Sequence, residues 1–512
     1  MNFNLLALLL LFSLSSQAET FKLRIDQNSL NTNQVQKMEN TFTHFSVNGF
    51  EMDKTIGAPE LPVKSWLVQG TPAQIKVKLN VINSEIFANT KPFPAQEPEC
   101  RCAADLVKTF SYSTALFEKP LPQVEVSYLG AFRGSPVSRV DVRLAAYNAS
   151  LNHVEMMTNV DVSISEPIFK VPRIDDLKDY LIVVPANLVD GVTAFADWKR
   201  SQGYNVSVEA VSSPANDLNS IQSLIRRHYD AGADFVILVG NETTLPMFRV
   251  STSGSSQTPS DLKYFTMDGA SDYIPDVFSS RIAATTVEQV SAQLAKSIEF
   301  ESKTFADASG LNRFVGIASN EGSNPSDNEY ILSIGNKFKE VLNSEVVHIY
   351  QNDSEKSNPT FLNNTLNSGA AWLTYMGHGD GRSWPNVRVP YSVSHIRQLA
   401  NVSVVKPIII DIACQNGRLV DGHFGTTWAA VNNTNGGAVA YYGGSVNISW
   451  HPPAIMARGI AYEHLSRNFR HLGQALMAGQ LYLAANSNSQ SQIIDNWEWF
   501  HLQGDPGLII SY

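Results

Sequence analysis

Cysteine is scarce in this chain. Three occur among 512 residues, at positions 100, 102 and 414. An odd count excludes a fully paired disulfide scaffold and leaves at least one thiol to explain. Charge is also sparse, at 17% of residues, and 38 Lys and Arg face 48 Asp and Glu. With no Lys/Arg cluster, that balance excludes a nucleic-acid binder. Long apolar runs are missing beyond the first residues, and mean hydropathy is −0.12. A polytopic membrane protein is therefore excluded, and no transmembrane anchor is expected. Apolar residues still make up 43% of the chain, enough for large cores.

The one apolar run is short. Residues 5–14 read LLALLLLFSL, and Ser16-Gln17-Ala18 follows as a small-x-small cleavage signal. Ten residues suit a secretory core better than a membrane span, although the residues before it lack Lys and Arg. The expectation is a signal peptide over residues 1–18, with the product secreted or periplasmic. In an exported protein Cys100 and Cys102, separated only by Arg101, either form a tight disulfide or stay reduced. They make a weak metal site, because no second ligand pair lies near. Cys414 stands alone, as a buried small hydrophobe or a nucleophile.

Residues 20–166 read as β. Residues 124–128 (VEVSY), 140–144 (VDVRL) and 160–164 (VDVSI) alternate apolar and polar, the period of half-buried antiparallel strands. Residues 165–176 (SEPIFKVPRIDD) are Pro-containing and charged, as expected of an exposed connector. The rhythm then changes. Continuous apolar runs at 180–184, 235–239, 314–318, 371–376, 407–413 and 437–442 alternate with helical patterns. Such runs indicate a parallel sheet covered on both faces.

Two strand ends carry chemistry. One runs into Gly377-His378-Gly379 and the other into Cys414-Gln415-Asn416-Gly417. Active sites in open α/β sheets form beyond the carboxyl ends of strands, and 36 residues is about one crossover unit. Neighbouring strands would set His378 beside Cys414. A thiol needs an adjacent base or positive group to react at neutral pH, and the imidazole can then protonate a leaving amine. The amides after His378 and at Cys414 could serve an oxyanion. A core cysteine and a hydrogen-bonded loop histidine is the plainer alternative.

The GHG and DIACQNG motifs resemble those of the gingipain-type cysteine peptidases. So do FVILVGNETTLP (235–246), SDLKYFTMDGASDYIPDVFSSR (260–281), IASNEGSNPSD (317–327), VNISWHPP (446–453) and LQGDPGL (502–508). The resemblance runs from about residue 180 to the C-terminus, and the β-rich part resembles the family's propeptide. It implies an α/β caspase-like catalytic domain with a mostly parallel sheet over 174–512, preceded by a β-rich prodomain over 19–173. The immunoglobulin-like and sorting domains of cell-surface relatives are not expected.

By motif, Cys414 matches the nucleophile, His378 the general acid/base and Glu321 the acid that orients the imidazole. Gly379 joins Cys414 as an oxyanion donor. Trp450 matches an aromatic lining the specificity pocket, and Asp327 and Glu329 fall where an acid binds a substrate's Arg or Lys. The resemblance also implies structural calcium, with Asn241, Asp268, Asp272, Ile274 and Asp276 as ligands and no organic cofactor. From the residues alone, the acidic loop is a calcium site or an Asp-rich turn. The expected protein is an exported cysteine endopeptidase acting on proteins or peptides, made as a zymogen that its own prodomain inhibits. Lys170 or Arg173 of the connector is expected to occupy the pocket before activation. A non-catalytic secreted binding or adhesion module on the same scaffold is the alternative.

Overall fold

Alternation and continuous burial in the sequence become two different kinds of sheet. The computed structural model describes residues 18–512 other than 27, 98, 103–108, 120, 213–216, 323, 324, 431–435 and 488. The signal-peptide reading falls on residues outside that set, apart from Ala18. Among the described residues no helix is long and apolar enough to cross a membrane.

The N-terminal part holds two antiparallel four-stranded sheets. One contains Glu19–Arg24, Val77–Ala88, Ala145–Asn148 and His153–Ile164; the other contains Glu51–Met52, Pro62–Gln69, Val124–Phe132 and Ser135–Arg143. Alternate residues of His153–Ile164 point inward, among them Val154, Met156, Val160, Val162 and Ile164. They share one core with Trp66, Val68, Val140 and Val142 of the other sheet. This is the sandwich that period-2 patterning produces.

The rest is built on parallel strands. The first sheet contains β1 (Asp179–Pro185), β2 (Asn205–Val211), β3 (Phe235–Val239) and β4 (Phe278–Ile282), in the order β2-β1-β3-β4. The second contains β5 (Arg313–Ala318), β6 (Glu345–Tyr350), β7 (Trp372–Met376), β8 (Ile408–Ile412), β9 (Ala440–Gly444) and β10 (Phe500–Gln503). Its order is β6-β5-β7-β8-β9-β10, and only β10 runs antiparallel. Every residue of β3, β7, β8 and β9 is buried, which requires cover on both faces. Helix α1 (Asp327–Leu342) covers β5 and β6, and α2 (His451–Arg467) packs on α1.

The connector is less free than its composition predicts. Lys170, Pro172 and Arg173 are exposed, but Val171 is buried in the main core. Phe169 N donates to Leu67 O at 2.8 Å. One apolar residue and a strand-like bond are enough to pin an otherwise polar segment.

Candidate active site

Strand register sets the site. Met376 of β7 pairs with Ile412 of β8, so His378 and Cys414 each lie two residues past the same level. Ala318 of β5 pairs with Met376, which brings Glu321 to that edge. Trp450 comes from the segment between β9 and α2. Four adjacent strands therefore deliver Glu321, His378, Cys414 and Trp450 to one carboxyl edge, the usual place for a site in such a sheet.

The turn after β8 is tight. Gln415 has φ +62°, a left-handed conformation uncommon for a residue with a side chain. It is held by Gln415 N donating to Val446 O at 2.9 Å and by its side-chain amide on Asn447 Oδ1 at 2.8 Å. Asn416 joins the two loops: its Oδ1 accepts from Gly381 N at 3.0 Å. Gly379 lies so close to this turn that a Cβ there would sit 2.4 Å from Cys414 O. Only glycine fits that approach.

His378 is held at both nitrogens. Nε2 lies 2.9 Å from Glu321 Oε2, and Nδ1 lies 2.8 Å from Arg101 O. Asn386 ties this pair together, donating to Glu321 Oε1 at 2.9 Å and accepting from His378 N at 2.6 Å. Cys414 is fully buried, its Sγ accepting from Ile448 N at 3.2 Å. Burial pushes its thiol up to about 12, which favours the protonated form while residues 99–102 cover it. Below the site, burial pushes Asp411 up to about 6 against hydrogen bonds from Tyr441, Trp384 and Asn416.

The site is filled by the N-terminal part. Arg101 N donates to Ile448 O at 2.9 Å, and Trp450 N donates to Glu99 O at 2.7 Å. Residues 99–102 thus lie on the 448–450 segment as an added strand. The Arg101 side chain enters a pocket. Its Nη1 and Nη2 meet the two oxygens of Asp327 at 2.9 and 2.7 Å, and both side chains are 0% exposed. Its Nε donates to Trp450 O at 2.9 Å, and the guanidinium lies 4.4 Å from the Trp450 ring centroid. Ser319 Oγ donates to Asp327 Oδ2 at 2.7 Å.

Of the sequence-predicted residues, Cys414, His378, Glu321, Gly379, Trp450 and Asp327 come together here. Glu329 is placed elsewhere: it closes the capping box of α1, accepting from Ser326 N at 2.7 Å on an exposed turn. Arg173 bonds Asp175 and Arg467 O on the surface, and Lys170 is exposed. The expectation that either fills the pocket is corrected: Arg101 does. Sequence reasoning missed Arg101, Ser319 and Asn386. Only Arg101 carried a signal, as a cation fixed between two cysteines.

The acidic loop forms a second cluster. Carboxylate oxygens of Asp268, Asp272 and Asp276 lie within 4.8 Å of one another. Asp272 Oδ1 accepts from Ala131 N and Ile274 N, both at 3.1 Å, and Asp276 Oδ1 accepts from Arg133 N at 2.6 Å. Burial, reinforced by the neighbouring carboxylates, pushes Asp276 up to about 7 and Asp272 in the same direction. Crowded hard oxygen donors of this kind fit calcium. Asn241 Oδ1 closes its own turn, accepting from the Thr243 and Thr244 amides.

Comparison with known proteins matches the chain to a family. A profile of Peptidase family C25 matches residues 174–511. Gingipain R2 of Porphyromonas gingivalis is 25% identical over 353 residues, covering 64% of this chain and 45% of that protein. Lys-gingipain of the same species is 22% identical over 488 residues, covering 83% of this chain and 27% of that protein. The chain thus spans less than half the length of these relatives. Among solved structures, the Arg-specific cysteine proteinase gingipain R superposes with a TM-score of 0.58 at 22% identity. That match covers 66% of this chain and 79% of the other. A complex of RgpB pro- and mature domains gives 0.57 at 22% identity, covering 65% and 79%. The fold is caspase-like with a β-rich part before it, and the chain belongs to peptidase family C25.

Proposed function

We propose that this chain is the zymogen of a cysteine endopeptidase that cuts after arginine. The observation that carries this reading is Arg101 in the pocket beside Cys414. Its fork meets one carboxylate in two bonds, and the guanidinium lies over an indole ring. Two planar partners suit a guanidinium better than the point charge of lysine. The side chain that Asp327 and Trp450 hold in the latent chain stands for the side chain they would take from a substrate.

In this reading, residues 19–173 are the prodomain, 174–512 the enzyme, and residues 1–18 direct export. Withdrawal of residues 99–102 frees the His378 ring from Arg101 O and exposes Cys414 to solvent and imidazole. Cys414 passes its proton to His378, and the thiolate attacks the carbonyl of a bound arginine. The Gly379 and Cys414 amides receive the oxyanion, and His378, oriented by Glu321, protonates the leaving amine. Water hydrolyses the thioester with His378 as base. Asp268, Asp272 and Asp276 would hold a structural calcium ion, which neutralises their crowded charge; no step of the reaction uses it.

A peptide-library cleavage profile of the processed protein tests this. Cuts after arginine, with lysine disfavoured and all cutting lost in Cys414→Ala, are expected. A profile indifferent to basic residues would remove Asp327 from the specificity role.

A further inference from the structure

All three cysteines meet at the nucleophile. Cys100 and Cys102 form a disulfide with Cα atoms 5.2 Å apart, and Cys100 Sγ lies 3.9 Å from Cys414 Sγ. Between them is Arg101, the residue in the pocket. Its neighbours pair with backbone on either side of the site, Cys100 with Ser449 and Cys102 with Gly379. On the reading that this pocket takes the residue before the cut, the bond that follows it is Arg101–Cys102. The disulfide spans that bond, with one sulfur on each side of it.

A ring closed across the scissile bond changes what cutting can achieve. If Cys414 acylates on Arg101, the amine of Cys102 remains tied to Cys100 and stays beside the thioester. Well-oriented tethered reactants reach effective molarities of about 10⁵ M or more, so the peptide bond re-forms before water intervenes. With the tether open, the same amine diffuses away and hydrolysis completes.

We propose that the Cys100–Cys102 disulfide is a redox lock on latency: closed, it makes the Arg101 segment an inhibitor, and opened by a low-molecular-weight thiol it makes that segment a substrate. This rests on the reading of Arg101 as occupant of the specificity pocket. Cys100 is the more exposed of the pair, Cys102 being buried, so the external thiolate attacks Cys100 Sγ and Cys102 leaves as a thiolate that takes up a proton. A second thiol releases the mixed disulfide. Two thiols become one external disulfide, and Cys100 and Cys102 each end with a hydrogen. One water then hydrolyses the Arg101–Cys102 bond, giving a carboxylate at Arg101 and a new amino terminus at Cys102.

The test uses the full chain beginning near Glu19, purified without reductant and mapped by thiol alkylation. Mass spectrometry follows the fragment that begins at Cys102. Dithiothreitol should speed its release at least tenfold. The Cys100→Ser/Cys102→Ser variant should cut before residue 102 without reductant at the reduced wild-type rate, and Cys414→Ala should not cut at all. Should the double variant fail to fold, the wild-type arm decides alone. Equal release with and without dithiothreitol overturns the lock, and so does a map joining Cys100 to Cys414. The underlying reading is checked separately by Arg101→Ala hydrolysing an arginyl peptide. If that variant is active while release ignores reductant, only the lock fails; if it stays silent, the pocket assignment fails.

Discussion

Arg101→Ala removes the group that fills the pocket, and the structure sets the size of the effect. Guanidinium and carboxylate are both 0% exposed and joined by bonds of 2.7 and 2.9 Å. Removing one partner of such a buried pair costs about 3–5 kcal/mol, because the other charge is left uncompensated. That is roughly two to three and a half orders of magnitude in the equilibrium between seated and withdrawn segment. The strand bonds from Arg101 N and to Glu99 O survive the change, since they use backbone. The uncut variant should therefore hydrolyse an arginyl-amide peptide on the order of a hundredfold faster than the uncut wild type. Arg101→Lys should fall between, keeping charge but losing the parallel bonds. Initial rates are measured on chain shown to be intact by N-terminal sequencing. A rate within twofold of wild type would show that the Arg101–Asp327 pair does not hold the segment in place.

Gly379→Ala should leave the fold intact and lose most turnover, because its Cβ would press on Cys414 O; circular dichroism and initial rates check both halves, and near-normal turnover contradicts the close approach. For the acidic loop, the sign follows from Asp276, whose carboxyl sits near 7 in the fold against an ordinary 3.8. The native state binds the extra proton, so without a cation stability falls as pH rises from about 4 to 7, by at most about 4 kcal/mol. A calcium ion held there would replace that proton, and it should raise the melting temperature more at pH 8 than at pH 5; no calcium-induced shift at either pH would leave the three aspartates as a plain turn.

Much of this was legible in the sequence, for a physical reason. Fully buried parallel strands need continuous apolar runs, and 235–239, 314–318 and 371–376 announced β3, β5 and β7 almost to the residue. Strand ends then located His378 and Cys414. Edge strands were harder: β6 (EVVHIY) is half solvated and β4 (FSSRI) is interrupted by polar residues, so neither shows the pattern. Arg101 was out of reach by period or spacing. It meets Asp327 across 226 residues of sequence, and only folding brings the β-rich N-terminal part back over the carboxyl edge of the sheet. Asn386 is similar, a loop amide whose role exists only once Glu321 and His378 flank it.

Cys414 is proposed as the nucleophile of an arginine-directed site. Peptide mapping after treatment of the processed protein with a peptidyl-arginyl chloromethylketone tests it most directly. One adduct is expected, on Cys414, formed in step with loss of activity and blocked by an arginyl peptide. Complete inactivation with Cys414 unmodified would contradict it.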